Sequence, residues 1–381
     1  MPAYEDKKTV LFLPFLKISS GHHEVANSLM EGLKNRLNEV NCEKIDILSY
    51  SYGKTEALIS YAYLKFIHAL PKFYSSLYHS SVYKNIDKDK RFRLYETLFL
   101  RYMRKLIAEK KPDMIVCTHA LPSYMLSRLK VFGEISIPVI NVYTDYFIHQ
   151  FWGIQQIDYH FVPTAEAKNF LLKKGTRNDQ IFMTGIPIHA DISKKQLQRE
   201  DNIAVSPLSI LICGGNLGVG AMDKLIKKMD GNRTIQFYVL CGKNRKLYHK
   251  LHNLHARHII PLNYIKCRKK MNELYERVDA ILTKPGGVTI SECLFKRKPI
   301  FIYHTLPGQE EINLHQLNKL GMVLHLKDWN KQSISLEEQL LAILQDQQRL
   351  QVFQDQLSKY HNNLTGDPAQ IMAEILKGKI I

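Results

Sequence analysis

Two stretches of alternating short apolar runs and helix-periodic segments, parted by a polar interval, constrain this chain more than any other feature. In the first, Lys8 to Phe15 (KTVLFLPF) reads as a buried strand, Glu24 to Leu37 as a helix, and Cys42 to Leu48 as a second strand. Met114–Thr118, Pro138–Tyr143, His160–Val162 and Ile181–Thr184 read as further strands, with a helix over Ala165–Lys174. The polar stretch Lys194–Pro207, ending in Ser-Pro, reads as a linker. Alternation then restarts, with strands at Leu208–Cys213, Ile235–Leu240, Ile259–Ile260, Ala280–Leu282, Pro299–Tyr303 and Met322–Leu326. A Gln-rich helix (Leu336–Tyr360) and an amphipathic one (Pro368–Leu376) close the chain. Strands that alternate with helices pair in parallel, because a crossover helix returns the chain to the same sheet edge.

The expectation is an α/β chain of two Rossmann-like domains with parallel sheets facing across a cleft. Its 381 residues suffice for two ordinary domains. The boundaries predicted are 1–195, 206–360, and a terminal segment 361–381 packing back on the first domain. Ligands of such folds bind at the carboxyl ends of the strands.

One of those ends is Thr283-Lys284-Pro285-Gly286-Gly287-Val288-Thr289, leading into a helix that carries Glu292. Glycines at a strand-to-helix turn admit a ligand to the backbone, and the helix start offers unpaired N–H groups and a positive dipole end. A pyrophosphate fits there, and Glu292, one turn on, can accept from a ribose. Gly214-Gly215-Asn216-Leu-Gly218 is a second Gly-rich turn in the same half. Together the two turns can hold a diphosphate through backbone groups, without a metal. Gln309 and Glu310 of Pro307-Gly-Gln-Glu310, with Asn313 one turn further, can bond several sugar hydroxyls. Asp87-Lys-Asp89 lies in a basic surface region without an apolar strand before it and is not taken as a metal site.

In the first half, Gly21-His22-His23-Glu24 opens a helix at the carboxyl edge of the sheet. An imidazole suits removal of a proton from a hydroxyl near neutral pH, while helix capping is the alternative role for His22. Asp145 follows the strand ending at Tyr143 and can orient that histidine, bind an acceptor hydroxyl, or cap. Trp152 can stack on a sugar, cover a lipid, or fill the core.

The formal net charge of +17 calls for an anionic partner. Residues 61–111 hold twelve Lys/Arg against four Asp/Glu, with eleven aromatics interleaved. At helical spacing, Phe92, Tyr95, Phe99, Tyr102 and Leu106 share a face, with Arg93, Arg101, Arg104 and Lys105 around it. Such a helix suits the interface of an anionic membrane, and no RNA-recognition signature accompanies it. The six cysteines form no C-x-x-C pair, so free thiols are expected rather than disulfides or zinc. Apolar runs short of bilayer length and a start, Met-Pro-Ala-Tyr-Glu-Asp-Lys-Lys, without the apolar core of a signal peptide predict a cytoplasmic protein. The basic aromatic helix predicts its peripheral hold on the inner face of the membrane.

With these residues in view, the chain resembles the processive diacylglycerol glucosyltransferases and monogalactosyldiacylglycerol synthases, which share the GT-B fold with MurG. The resemblance rests on Gly21-His22-x-x-x-Ala26, Thr144-Asp145, Thr184-Gly-Ile-Pro187, Cys241-Gly-Lys-Asn244, Thr283-Lys-Pro-Gly-Gly287 and Pro307-Gly-Gln-Glu310. It implies inverting transfer of a hexose, glucose in the first instance, from a UDP-sugar to a lipid hydroxyl. It also implies His22 as general base, Gly286, Gly287 and the following helix start on the diphosphate, Glu292 on the ribose, and Gln309 and Glu310 on the sugar. No metal or other cofactor is expected. Other readings are transfer to a non-lipid acceptor, a UDP-sugar 2-epimerase, which shares the fold, and a non-catalytic nucleotide sensor.

Overall fold

The computed structural model describes residues 7–15, 21–53, 91–193, 208–214, 222–229, 234–327, 329–330 and 335–380. The chain divides into two compact units, one of residues 1–189 with 363–381, the other of 190–362.

In the first unit, β1 (Lys8–Leu13), β2 (Val40–Lys44), β3 (Met114–Cys117), β4 (Val139–Val142), β5 (Tyr159–Val162) and β6 (Ile181–Met183) form one parallel sheet. Its order is β2-β1-β3-β4-β5-β6. The helices are α1 (Gly21–Lys34), α2 (Ile47–Tyr52), α3 (Arg93–Lys110), α4 (Ala120–Val131) and α5 (Ala165–Lys173). Val10 to Leu13, Met114 to Cys117 and Val139 to Val142 are buried throughout, as expected of strands covered on both faces.

The predicted strand Cys42–Leu48 is corrected: the strand ends at Lys44, and Ile47 and Leu48 begin α2. The Asp46 side chain accepts from the Leu48 N–H at 2.8 Å, an N-cap that redirects the apolar pair into a helix.

The second unit contains α6 (Ala190–Ser193), β7 (Leu208–Cys213), α7 (Met222–Ile226), β8 (Ile235–Leu240), α8 (Arg245–His252), β9 (Ile259–Leu262) and α9 (Arg268–Arg277). It continues with β10 (Ala280–Thr283), α10 (Gly287–Phe295), β11 (Ile300–Ile302), α11 (Gln309–Lys319), β12 (Leu324–His325), α12 (Leu336–Leu344) and α13 (Gln347–Asn362). Its parallel sheet runs β12-β11-β10-β7-β8-β9. The single Gln-rich helix predicted over Leu336–Tyr360 is two helices, because Asp346 accepts from the Arg349 N–H (3.0 Å) and starts α13 afresh.

The last helix, α14 (Pro368–Leu376), lies in the first unit against α1. The approach is close: a Cβ on Gly32 would meet the Ala369 Cβ at 2.7 Å. Arg36–Asp367 (3.1 Å) and Thr365 N–H to the Met183 carbonyl (2.9 Å) fix the return.

Strand order reverses between β1 and β3 in the first sheet and between β7 and β10 in the second. Loops leaving neighbouring strands part at such a point and open a crevice at the carboxyl edge. His22 follows β1 at the first point, and Gly214 and Lys284 follow β7 and β10 at the second, whereas Asp145, past β4, and Gln309 and Glu310, past β11, lie one strand further along.

Candidate active site

In the first unit, His22 stands in the opening turn of α1, beyond the end of β1. Its Nδ1 lies 2.7 Å from the Thr118 carbonyl oxygen, just past β3, and 2.9 Å from Thr144 Oγ1, just past β4. A carbonyl only accepts, so Nδ1 carries the proton of the neutral ring and Nε2 holds the lone pair. Three strand ends therefore set both the tautomer and the direction of this imidazole. Asp145 is buried, 9% exposed. Burial lowers the proton affinity of His22, Asp145 opposes that by its charge, and the net shift is downward.

The ring has aromatic neighbours that sequence reasoning missed. His119 meets it edge-on with centroids 4.8 Å apart, and stacks on Phe15 at 4.8 Å. Its Nδ1 accepts from the Leu121 N–H (3.1 Å) and caps α4, while burial and the neighbouring histidines hold its pKa well down. His149 accepts from the Phe151 N–H (3.3 Å) and is pushed down to about 3, first by burial and then by His22. Both rings stay neutral near physiological pH.

The acceptor-side expectations are corrected in part. Trp152 is a core residue, 6% exposed, with its ring 4.6 Å from Tyr143. Phe99 and Leu106 are buried with Met103 on the face that α3 turns toward its neighbours α2 and α4, where Phe99 meets Tyr52 edge-on at 5.8 Å. Phe92 packs on Phe151 (4.2 Å), and of the predicted aromatic face Tyr95 stays outward, beside exposed Leu94 and Leu98. Arg104 is bound twice by Glu134, Lys105 lies 3.6 Å from Glu109, and Arg101 stacks on Tyr102 (4.6 Å). Residues 54–90, including Asp87 and Asp89, lie outside the described residues, as do Gly215 and Asn216.

In the second unit, Gly214 follows β7 and Lys284 follows β10, on either side of the strand-order reversal. Gly286 is the N-cap of α10, and a Cβ built on it would meet nothing within 4 Å. The first-turn N–H groups of Gly287, Val288 and Thr289 have no acceptor inside the helix. Lys284 Nζ sits 3.1 Å from Glu310 Oε1, the two side chains 8% and 17% exposed. The other Glu310 oxygen accepts from the Leu306 N–H at 2.6 Å. Asn313, 1% exposed, donates to the Pro285 carbonyl at 3.2 Å and so braces the turn. Glu310 and Asn313, expected on the sugar, thus have holding duties, whereas Gln309 is the first residue of α11.

Glu292 is buried and accepts from the Tyr275 hydroxyl (2.8 Å), with Arg268 at 3.9 Å, both from α9. Neither partner carries a local signal, since each reaches Glu292 from another element. His304, just past β11, has its pKa lowered by burial and by Lys284, against the pull of Glu310. Among the described residues, no group of three or more His, Cys, Asp or Glu is placed to hold a metal ion.

Comparison with known proteins matches each unit separately. Residues 22–188 match the family model for monogalactosyldiacylglycerol (MGDG) synthase, and residues 209–363 that for the glycosyltransferase family 28 C-terminal domain. The uncharacterized glycosyltransferase YkoN of Bacillus subtilis is 43% identical over 354 residues, 93% of each chain. The chain belongs to this family of glycosyltransferases. A processive diacylglycerol beta-glucosyltransferase of Bacillus pumilus is 27% identical, over 90% of this chain and 88% of its own. MurG of Acinetobacter baumannii superposes with a TM-score of 0.58 at 13% identity, covering 97% of this chain and 99% of its own. The glycosyltransferase therefore has the GT-B fold, as expected from its two parallel sheets. No helix among its described residues is long and apolar enough to cross a membrane.

Proposed function

We propose that this glycosyltransferase moves a hexose, glucose in the first instance, from a UDP-sugar to the hydroxyl of a lipid at a membrane surface. Diacylglycerol or a glycosyl-diacylglycerol is the acceptor. The observation that carries the proposal is the anchored tautomer of His22, which leaves Nε2 as a lone pair at the carboxyl edge of the first sheet.

In the reaction, His22 Nε2 takes the proton of the acceptor hydroxyl while that oxygen attacks the anomeric carbon. The bond from that carbon to the diphosphate oxygen breaks with its electron pair, and displacement from the opposite face inverts the anomeric centre. Asp145 offsets the positive charge that develops on His22. The charge arriving on the diphosphate meets the first-turn N–H groups of α10 and the cation of Lys284. Both effects grow as charge moves, so they act on the transition state more than on bound substrate. Glu292, oriented by Tyr275, takes the ribose hydroxyls, and Gln309 the hexose. The transfer needs no metal ion.

A non-lipid acceptor is the second reading, supported by the inward turn of Trp152 and Phe99. One experiment separates the readings. The protein is incubated with a panel of UDP-sugars, with diacylglycerol in detergent or with polar hydroxyl acceptors, with and without EDTA, and products are identified by mass and anomeric NMR. The expected result is a lipid glycoside of inverted configuration, formed equally with EDTA. Release of UDP and a C2-epimerised sugar without any acceptor would overturn the proposal, and glycosylation of a polar acceptor alone would replace the lipid.

A further inference from the structure

The positive charge of this chain is unevenly placed. Between Asp230 and Glu273 the sequence contains no acidic residue. Within that interval, residues 243–270 hold nine Lys/Arg and four His, a large share of the chain's +17. In the fold this stretch forms α8, the turn after it, the edge strand β9, and the approach to α9. Leu247 and Leu251 turn inward from α8, while Arg245, Lys246 and His249 are exposed. In the turn between α8 and β9, Leu254 is 51% exposed, flanked by exposed His252 and His255. Arg257 is exposed on the same turn.

The α3 region differs. There Arg91 is bound by Glu96, Arg104 by Glu134, and Lys110 by Glu43, so much of its charge is neutralised within the unit. Arg268 of this stretch faces Glu292 at 3.9 Å, but Arg245, Lys246 and Arg257 are exposed on a run of sequence that holds no acid, and their field reaches into solvent. A nucleic acid would satisfy the cations but offers nothing to an outward leucine. A bilayer offers both anionic headgroups and an apolar interior.

We propose that the α8–β9 edge of the second unit is the surface on which this enzyme docks to an anionic lipid bilayer. The inference takes its partner from the lipid-surface part of the function proposed above, and places the contact in the second unit rather than on α3.

The test is co-sedimentation of the full chain with phosphatidylcholine vesicles, with and without phosphatidylglycerol. Binding is expected to need the anionic lipid and to weaken with salt. At about 1 kcal/mol per basic residue near such a surface, the combined Arg245→Gln, Lys246→Gln and Arg257→Gln variant should bind roughly 100-fold more weakly. Leu254→Ser should cost about fivefold through lost apolar burial. Arg101→Gln with Lys105→Gln on α3 should change binding little. Turnover on detergent-dispersed acceptor should be unchanged in the triple variant. Loss of vesicle binding in the α3 variant but not the triple variant would overturn the inference, as would loss of detergent turnover in the triple variant. Wild-type protein that ignores anionic vesicles but binds RNA would also overturn it, while turnover on dispersed lipid would still stand as support for the transfer reaction.

Discussion

Replacing Glu310 by Gln separates two roles for this carboxylate, reading the hexose and holding Lys284. Its Oε1 lies 3.1 Å from Lys284 Nζ, and both side chains are largely buried. At that separation, unit charges interact by about 5 kcal/mol gross at an effective dielectric near 20. Removing one partner of a buried pair costs about 3–5 kcal/mol, because the other charge is left without compensation, and partial exposure here favours the lower end. Glutamine can still accept from the Leu306 N–H, so the loop should keep its course. The expected loss is ~3 kcal/mol, a fall in melting temperature of about 6–12 °C for a unit of this size. A bound diphosphate replaces the missing negative charge, so UDP should stabilise the variant more than the wild type. The assays are thermal unfolding with and without UDP, UDP binding by calorimetry, and KM for the UDP-sugar. A positioning role predicts lower stability without UDP, a larger UDP-induced shift, and UDP affinity equal to or above wild type. Unchanged stability with a raised KM for the UDP-sugar and unaltered UDP affinity would refute it and return Glu310 to the hexose.

Further outcomes follow from two histidines of the first unit. His22→Ala should lower kcat by about 10²–10⁴-fold while leaving UDP affinity within twofold, since the base contacts no donor group in the proposed mechanism. The base acts only when neutral, and burial outweighs Asp145 in lowering its pKa, so kcat/KM should hold at neutral pH and fall with a midpoint below 6.5. Asp145→Asn removes a raising influence and should move that midpoint lower still; an upward move would contradict the assignment. His160 is fully buried with its pKa lowered to about 3 by burial, so the unfolded chain takes up its proton first as pH falls. Its stabilisation is complete above the unfolded pKa of about 6.5 and is lost progressively below it. Urea unfolding should show this residue costing ~1.4 kcal/mol between pH 7.5 and 5.5, and a His160→Gln variant with an undiminished slope would refute that attribution.

The alternation of apolar runs with helical periods made both parallel sheets legible, because strands buried on two faces must be apolar throughout. Lys284-Pro-Gly-Gly287 was legible for a related reason, since a strand-to-helix turn advertises itself through glycine. What failed were the places where one polar side chain overrides periodicity. Asp46 captures Ile47 and Leu48 for a helix, and Asp346 divides the Gln-rich segment. The aromatic stripe of α3 is divided, because apolar residues at helical spacing serve a neighbouring helix as readily as a membrane, and Phe99 turns inward onto Tyr52 of α2. The partners of His22 and Glu292 were illegible for a different reason. Thr118, Thr144 and Tyr275 act from elements far off in sequence, and nothing local in a threonine after a strand marks it as an acceptor for a distant imidazole.

The mechanism proposed above places opposite electrostatic demands on the two units. A general base must be neutral before it works, so fixed cations beside it would hinder the proton transfer it exists to perform. Around His22 the rings of His119 and His149 have backbone amides bonded to Nδ1 and stay uncharged, and the anion Asp145 raises the proton affinity of His22 more than His23 lowers it. In that mechanism a diphosphate leaving group asks for the reverse, the role proposed for Lys284 and the start of α10 in the second unit. Lys284 also bears on His304, whose proton affinity it lowers, so a base placed on that sheet would work against the charge that the leaving group needs. A substitution that brought a lysine beside His22, such as Thr144→Lys, should therefore depress the pH midpoint and also remove one of the two oxygens, with the Thr118 carbonyl, that aim the ring. Loss of aim and loss of basicity would appear together there, whereas Thr144→Ser, which keeps the hydroxyl, should restore both.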